Sequence, residues 1–256
     1  MTQIESLYLE GNTNLTQLDL DIGCLTSLTE LYVIGCNVSK ISGAIAQCRR
    51  LKSVNFSGNK LSFLPEHFFA LKNIVFLALD DNRFSPIPDF HLLHSLEVLS
   101  FSNNPIPIIP AEFGLLVRLI DITFSQCLIK WLPSHMANFV HLERFAMPMN
   151  ELVAIPESLC ECYRLRTLEF QHNKLVSVPF GMTKLTKLTD IYLHRNMFQD
   201  IPEVLLECFS LKLITLHHCQ LFVKKVPHKL DLDMLKDLKE LIAVERLMHQ
   251  DAGQVP

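Results

Sequence analysis

Glycine is scarce, with eight in 256 residues, and backbone cradles for phosphate are correspondingly few. No Gly-rich phosphate loop, G-x-S-x-G elbow, H-E-x-x-H pair or kinase signature is present, so no common reaction class leaves its mark. No apolar run approaches the roughly 18 residues of a membrane span. The opening residues, MTQIESLYLEGN, lack the basic and apolar regions of an export signal. Excess positive charge is missing too: a net charge of -4 gathers no phosphates, which disfavours general nucleic-acid binding.

What is plentiful is apolar character, 49% of the chain, ample for a core and contrary to disorder. It is written as a repeat, the feature to look for first. The pattern apolar-x-x-apolar-x-apolar-x-x-(Asn or Cys) closes ten times, at Asn12, Cys36, Asn59, Asn82, Asn104, Cys127, Asn150, Asn173, Asn196 and Cys219, in steps of 24, 23, 23, 22 and then 23 residues.

Each copy has a physical reading. In LRTLEF (165–170), Leu168 and Phe170 alternate with Thr167 and Glu169, the period of a strand with one buried face. The chain must then turn, and a buried Asn offers both donors and an acceptor to backbone groups that have left the ladder. The ten Asn and Cys positions are therefore expected to form a structural ladder. Six residues on stand Pro65, Pro88, Pro110, Pro133, Pro156, Pro179 and Pro202. Proline donates no hydrogen bond, so these positions suit an irregular return path rather than a second sheet. Apolar residues then recur about every three, as in Pro179, Met182, Leu185 and Leu188, predicting short helical or 3-10 segments with one inward face. Asp19 and Ser42 replace the proline in the first two copies, which leaves their outer path open.

These motifs resemble the leucine-rich repeat family, L-x-x-L-x-L-x-x-N/C-x-L, from about residue 4 to residue 221. The return segment, as in LPEHFFALKNI, is similar to the 23-residue intracellular class of Ras-suppressor proteins and the Scribble and Erbin type scaffolds. The resemblance implies an α/β solenoid over residues 1–222, curved like a horseshoe, with a parallel sheet on its concave face and short helical or 3-10 segments on its convex one. Residues 223–256 are expected to form a C-terminal cap and tail. Within it, Leu235, Leu238, Leu241, Ile242 and Met248 follow helical spacing over about 231–248. That helix either packs over the last repeat or leaves the solenoid to bind a partner.

The function implied is a non-catalytic, cytoplasmic signalling scaffold or adaptor, with a protein partner such as a small GTPase, kinase or phosphatase. The alternative is the regulatory or substrate-recruiting region of a larger kinase, phosphatase or ubiquitin ligase whose catalytic domain lies elsewhere. Repeats begin at Ile4, and an open first coil exposes its apolar interior. The expectation is a fragment of a longer chain, or a partner covering that edge.

The eight cysteines are read as buried free thiols. Cys36, Cys127 and Cys219 fill the Asn slot; Cys48, Cys162 and Cys208 fill an outer slot held elsewhere by Leu71, Leu116, Phe139 or Leu185. The Cys160 and Cys162 pair offers only two ligands, with Cys162 alone expected to face inward, and no metal or cofactor is expected. Neither end carries the paired-cysteine caps typical of extracellular family members.

If strands stack in parallel, equivalent residues lie about 4.8 Å apart and form columns on the concave face. Candidate partner-binding residues fall in three regions. Tyr8, Tyr32 and Ile34 lie near the start; Phe76, Val98, Asp80, Asp121 and Arg144 lie in the middle; Glu169, Tyr192, His194, Arg195 and His217 lie toward the end. His172 and His218 adjoin the last group, which is read as a solvated polar surface, a pH-sensitive contact or, least simply, a metal site.

Overall fold

The computed structural model describes residues 3–219. Ten strands of three residues run parallel in chain order: Ser6–Tyr8, Glu30–Tyr32, Ser53–Asn55, Phe76–Ala78, Val98–Ser100, Asp121–Thr123, Arg144–Ala146, Thr167–Glu169, Asp190–Tyr192 and Leu213–Thr215. Each belongs to one coil, numbered 1 to 10 here. The register is unbroken, with Ser6 opposite Glu30 and Tyr8 opposite Tyr32 at one end, and Asp190 opposite Leu213 and Tyr192 opposite Thr215 at the other. Central strand residues such as Leu31, Leu99 and Leu168 point inward and are fully buried.

Coils 1 to 9 each return through a 3-10 helix. Proline prepares the turn: Pro65 has φ -61° and ψ 142° just before the helix Glu66–Ala70, a backbone state its ring already favours. Where proline is absent, the outer path differs. Ser42 donates its backbone N–H to Leu18 O at 2.8 Å, and Gln17–Leu18 pairs with Lys40–Ile41 as a second, two-stranded parallel sheet. In coil 3 the residue equivalent to Ser42 is Pro65, which has no N–H, so this outer ladder ends there.

Between sheet and helices lies a continuous apolar core, reinforced by edge-to-face rings: Phe101 against Phe124 at 5.9 Å, Phe113 against Phe124 at 5.6 Å, and Phe113 against Phe139 at 5.7 Å. Beside the core runs the asparagine ladder. Asn82 donates from Nδ2 to Phe56 O (2.9 Å) in the previous coil and to Leu79 O (3.1 Å) in its own, and its Oδ1 accepts from Leu61 N–H at 2.9 Å. Asn59, Asn104, Asn150, Asn173 and Asn196 repeat this bridge to the coil before them.

The ladder frays at both ends of the described residues. Asn12 is exposed and, among the described residues, its side chain donates to Glu10 O at 3.2 Å without reaching another coil, because no described coil precedes it to supply the carbonyl and N–H that the others bridge. Cys219 is half-buried, its thiol 3.6 Å from Leu193 O. Within the ladder, Cys36 and Cys127 keep the donor function, directing S–H toward Leu9 O (3.1 Å) and Phe101 O (3.5 Å). Sulfur supplies no equivalent of Oδ1. Opposite Cys127 the orphaned Ile106 N–H turns to Asn104 O at 2.8 Å instead.

Two cysteine expectations need correction. Cys24 is exposed, since it closes the helix Leu20–Cys24 on the outward side. Cys160 is fully buried along with Cys162; Gly181 of the next coil has no side chain, and a Cβ there would lie 2.8 Å from Cys160 Cβ. Burial pushes the Cys160 and Cys162 thiols up to about 12, and Cys127 to about 11, so all three remain protonated. The helix expected over 231–248 lies outside the described residues.

Candidate functional site on the sheet face

Strand residues flanking each inward central residue project onto the sheet's open face, where pairing aligns the expected columns. At the start, Tyr8 and Tyr32 stack with centroids 5.0 Å apart and ring planes at 21°. Tyr8 is 56% exposed and donates its hydroxyl to Glu30, which raises the Tyr8 pKa. Tyr32 is half-buried, with Oη 2.7 Å from Ser53 Oγ. Ile34 is likewise half-buried.

The middle is more tightly committed. Asp80 Oδ1 accepts from Ser102 N–H at 2.6 Å and Ser100 Oγ at 2.7 Å, tying neighbouring coils together. Arg144 spans three coils: Nη1 donates to Asp121 Oδ1 (3.0 Å) and Thr123 Oγ1 (2.9 Å), and Nε to Glu169 Oε1 (2.9 Å). Burial opposes the guanidinium's charge, but Asp121 and Glu169 more than offset it and its pKa is raised. These three candidates are thus joined to one another. Ala78 and Ala146, on the same face, are buried. Phe76 and Val98 stand opposite each other in the pairing, both half-buried.

Toward the last coil the imidazoles assemble. His194 and His217 stack at 4.2 Å with planes at 10°, His172 meets His194 edge-on at 5.7 Å, and His217 meets His218 at 5.2 Å. His194 Nδ1 lies 2.9 Å from Thr215 Oγ1. Burial first, then His217, His172 and Arg195, pushes His194 down to about 4; burial and Arg195 lower His172 as well. Burial, with Asp190 and Glu169, raises Tyr192. Arg195 is exposed and takes φ +57°. Among the described residues no three His, Cys, Asp or Glu side chains are arranged to hold a metal ion, and no helix is long and apolar enough to cross a membrane.

Reading the columns passes over a second surface. On the opposite flank, Phe63, Ile108 and Trp131 are 55%, 69% and 64% exposed. All three stand four residues past their ladder position, immediately before the buried or half-buried Leu64, Ile109 and Leu132. The available signal was two apolar residues in succession ahead of proline, of which only one can face inward.

Known proteins place this geometry. A family model described as Leucine Rich Repeat matches residues 50–71 and 95–116. Over 108 residues the chain is 33% identical to an adenylate cyclase of Schizosaccharomyces pombe, covering 41% of this chain and 6% of that protein. Over 189 residues it is 28% identical to an adenylate cyclase of Podospora anserina, covering 59% and 9%. The chain spans less than a tenth of the length of these curated relatives. Among solved structures, the functional domain of InlJ from Listeria monocytogenes, which includes a cysteine ladder, superposes with a TM-score of 0.70 at 19% identity, covering 85% of this chain and 45% of that one. With its motif written ten times, matched twice by the family model and folded into stacked coils, the chain is a leucine-rich repeat protein.

Proposed function

We propose that the chain is a non-catalytic protein-binding module whose partner, a small GTPase, kinase or phosphatase of a cytoplasmic signalling assembly, lies along the sheet face. One observation carries this reading. The face presents a stacked Tyr8 and Tyr32 pair and, two coils further on, Phe76 beside Val98, on a backbone already fixed by its ladder. Rigid aromatic side chains of this kind contribute disproportionately to interfaces.

The test is the double variant Tyr32→Ala with Phe76→Ala. Proteins retained by the wild-type chain and lost by the variant are purified and titrated by calorimetry, with thermal melts to confirm folding. A loss of about 2–4 kcal/mol in binding is expected. Equal affinity of a folded variant sinks this assignment of the surface.

A second reading is favoured by the adenylate cyclase matches: a regulatory or recruiting region of a larger enzyme. The enzyme class this points to is a cyclase, rather than the kinase, phosphatase or ubiquitin ligase suggested by the motifs. Cyclase activity that responds to the groove variant when the repeats are present in the same polypeptide supports it; indifference counts against it.

A further inference from the structure

Coil 4 breaks the period. From Asn82 to Asn104 is 22 residues where 23 prevails, and the residue is missing on the outer side. Its return helix, Phe90–Leu92, has three residues, whereas Glu66–Ala70 and Ala111–Leu115 on either side have five. A shorter helix fills less of the space between coils, and between coils 4 and 5 lies a cleft of about 320 Å³. Pro88 and Phe90 form one wall, and Ile108, Pro110 and Phe113 the other.

Ile108 also belongs to the exposed outer row, with Phe63 and Pro86 before it and Trp131 after it. Cleft and row therefore meet at Pro86 and Ile108, and the row crosses four coils, on the order of 14 Å at strand spacing, about the length of four extended residues. Its rim is acidic. Asp89 and Glu112 line the cleft and are exposed, and neither is in an ion pair among the described residues. Lys72, whose ammonium lies against the short helix, is held by Phe69 O at 2.8 Å and Leu92 O at 2.9 Å. An apolar slot edged by unpaired carboxylates matches a ligand that carries apolar bulk and positive charge side by side.

We propose that this cleft and its row form a second docking surface, for a short peptide segment that buries one bulky apolar side chain between coils 4 and 5 and sets a Lys or Arg against Asp89 and Glu112. A partner could engage this flank while another occupies the sheet face. The proposal rests on different residues from the groove reading, so either can fail alone.

The experiment selects short random peptides displayed on phage against the full chain, then measures synthetic winners by fluorescence anisotropy. Three variants are compared, each checked by circular dichroism: Ile108→Ser, the charge swap Asp89→Lys with Glu112→Lys, and the groove variant Tyr32→Ala with Phe76→Ala. The expected winners pair a bulky apolar residue with an adjacent Lys or Arg. Their dissociation constants rise about tenfold or more with either of the first two variants and stay unchanged with the third. Winners without that pairing, or indifferent to both cleft variants, overturn the proposal. So does a selection that yields no consensus. If wild-type chain dimerises in sedimentation velocity and Ile108→Ser abolishes it, the row is a self-interface. If phosphatidylcholine vesicles retain the wild type but not Ile108→Ser, it is a lipid-facing surface. Either result replaces the peptide.

Discussion

Replacing Asn150 with alanine tests the element on which stacking depends. Its Nδ2 donates to Phe124 O at 2.6 Å and lies 3.2 Å from Met147 O, while its Oδ1 accepts from Ile129 N–H at 3.2 Å. Alanine leaves the Ile129 N–H without a partner in a dry environment, a loss of about 1–3 kcal/mol. The carbonyls of Phe124, Met147 and Pro148 also lose a donor, and the total should come to about 2–4 kcal/mol. Cysteine at the same position distinguishes the donor from the acceptor. At Cys127 the thiol still reaches Phe101 O and Ser125 O, both at 3.5 Å, so Asn150→Cys should restore part of the donor side and cost about 1 kcal/mol less than alanine. Urea melts followed by far-UV circular dichroism and by the single Trp131, four residues past the ladder position of the adjacent coil, measure both. Coincident curves license a single unfolding free energy; separated curves assign the loss to part of the solenoid. An alanine variant within about 0.5 kcal/mol of wild type, or a cysteine variant no better than alanine, refutes the bridging role.

Other perturbations follow from the same coordinates. An unfolded histidine titrates near 6.5, whereas His194 is held at about 4. Below about pH 6.5 the unfolded chain binds a proton that the folded chain refuses, so stability is fully present above that pH and falls toward pH 4. At about pH 5 the linkage is about 2 kcal/mol, reduced to about 1 by the ring's partial exposure; His194→Gln should flatten the pH dependence of urea melts, and an unchanged slope rejects the linkage. Met149 has φ +57°, where an L side chain costs about 1–2 kcal/mol. Met149→Gly should therefore stabilise by about 0.5–1 kcal/mol after glycine's added unfolded-state entropy. Gly58→Ala should destabilise, since φ is +69° and its Cβ would lie 3.1 Å from the Gly35 backbone. Thermal melts check both signs. Arg144→Leu leaves Asp121 and Glu169 without their shared cation and should lose about 1 kcal/mol at low salt, less in about 1 M NaCl; no salt dependence argues against the clamp.

The coils and their register were legible because two periods coincide. Strand alternation determines which residues face inward, and the step of about 23 residues places each of them beside its equivalent. Tyr8 beside Tyr32, and His194 beside His217, follow from that arithmetic alone. The outer side obeyed a looser rule, because its path depends on a donor that proline either removes or leaves. Ser42 keeps its N–H and builds a small second sheet. The burial of Cys160 was not legible from its own coil, since it depends on Gly181 in the next one.

Site residues were harder to read because column position says where a side chain starts and nothing of where its end goes. Arg144, Asp121 and Glu169 looked like three separate contacts and proved to be one internal clamp. Asp80 looked like a free carboxylate and serves Ser100 and Ser102. Long polar side chains on a parallel sheet reach their neighbours a strand away, so the middle of this face is largely satisfied by itself. Apolar side chains have no such recourse: a solvent-facing Phe63 or Ile108 has no polar atom to offer a neighbour and is buried only by another molecule. In a solenoid whose polar rows saturate internally, exposed aromatic and aliphatic residues are therefore the sharper guide to where partners bind, and here they mark both the start of the sheet face and the outer row.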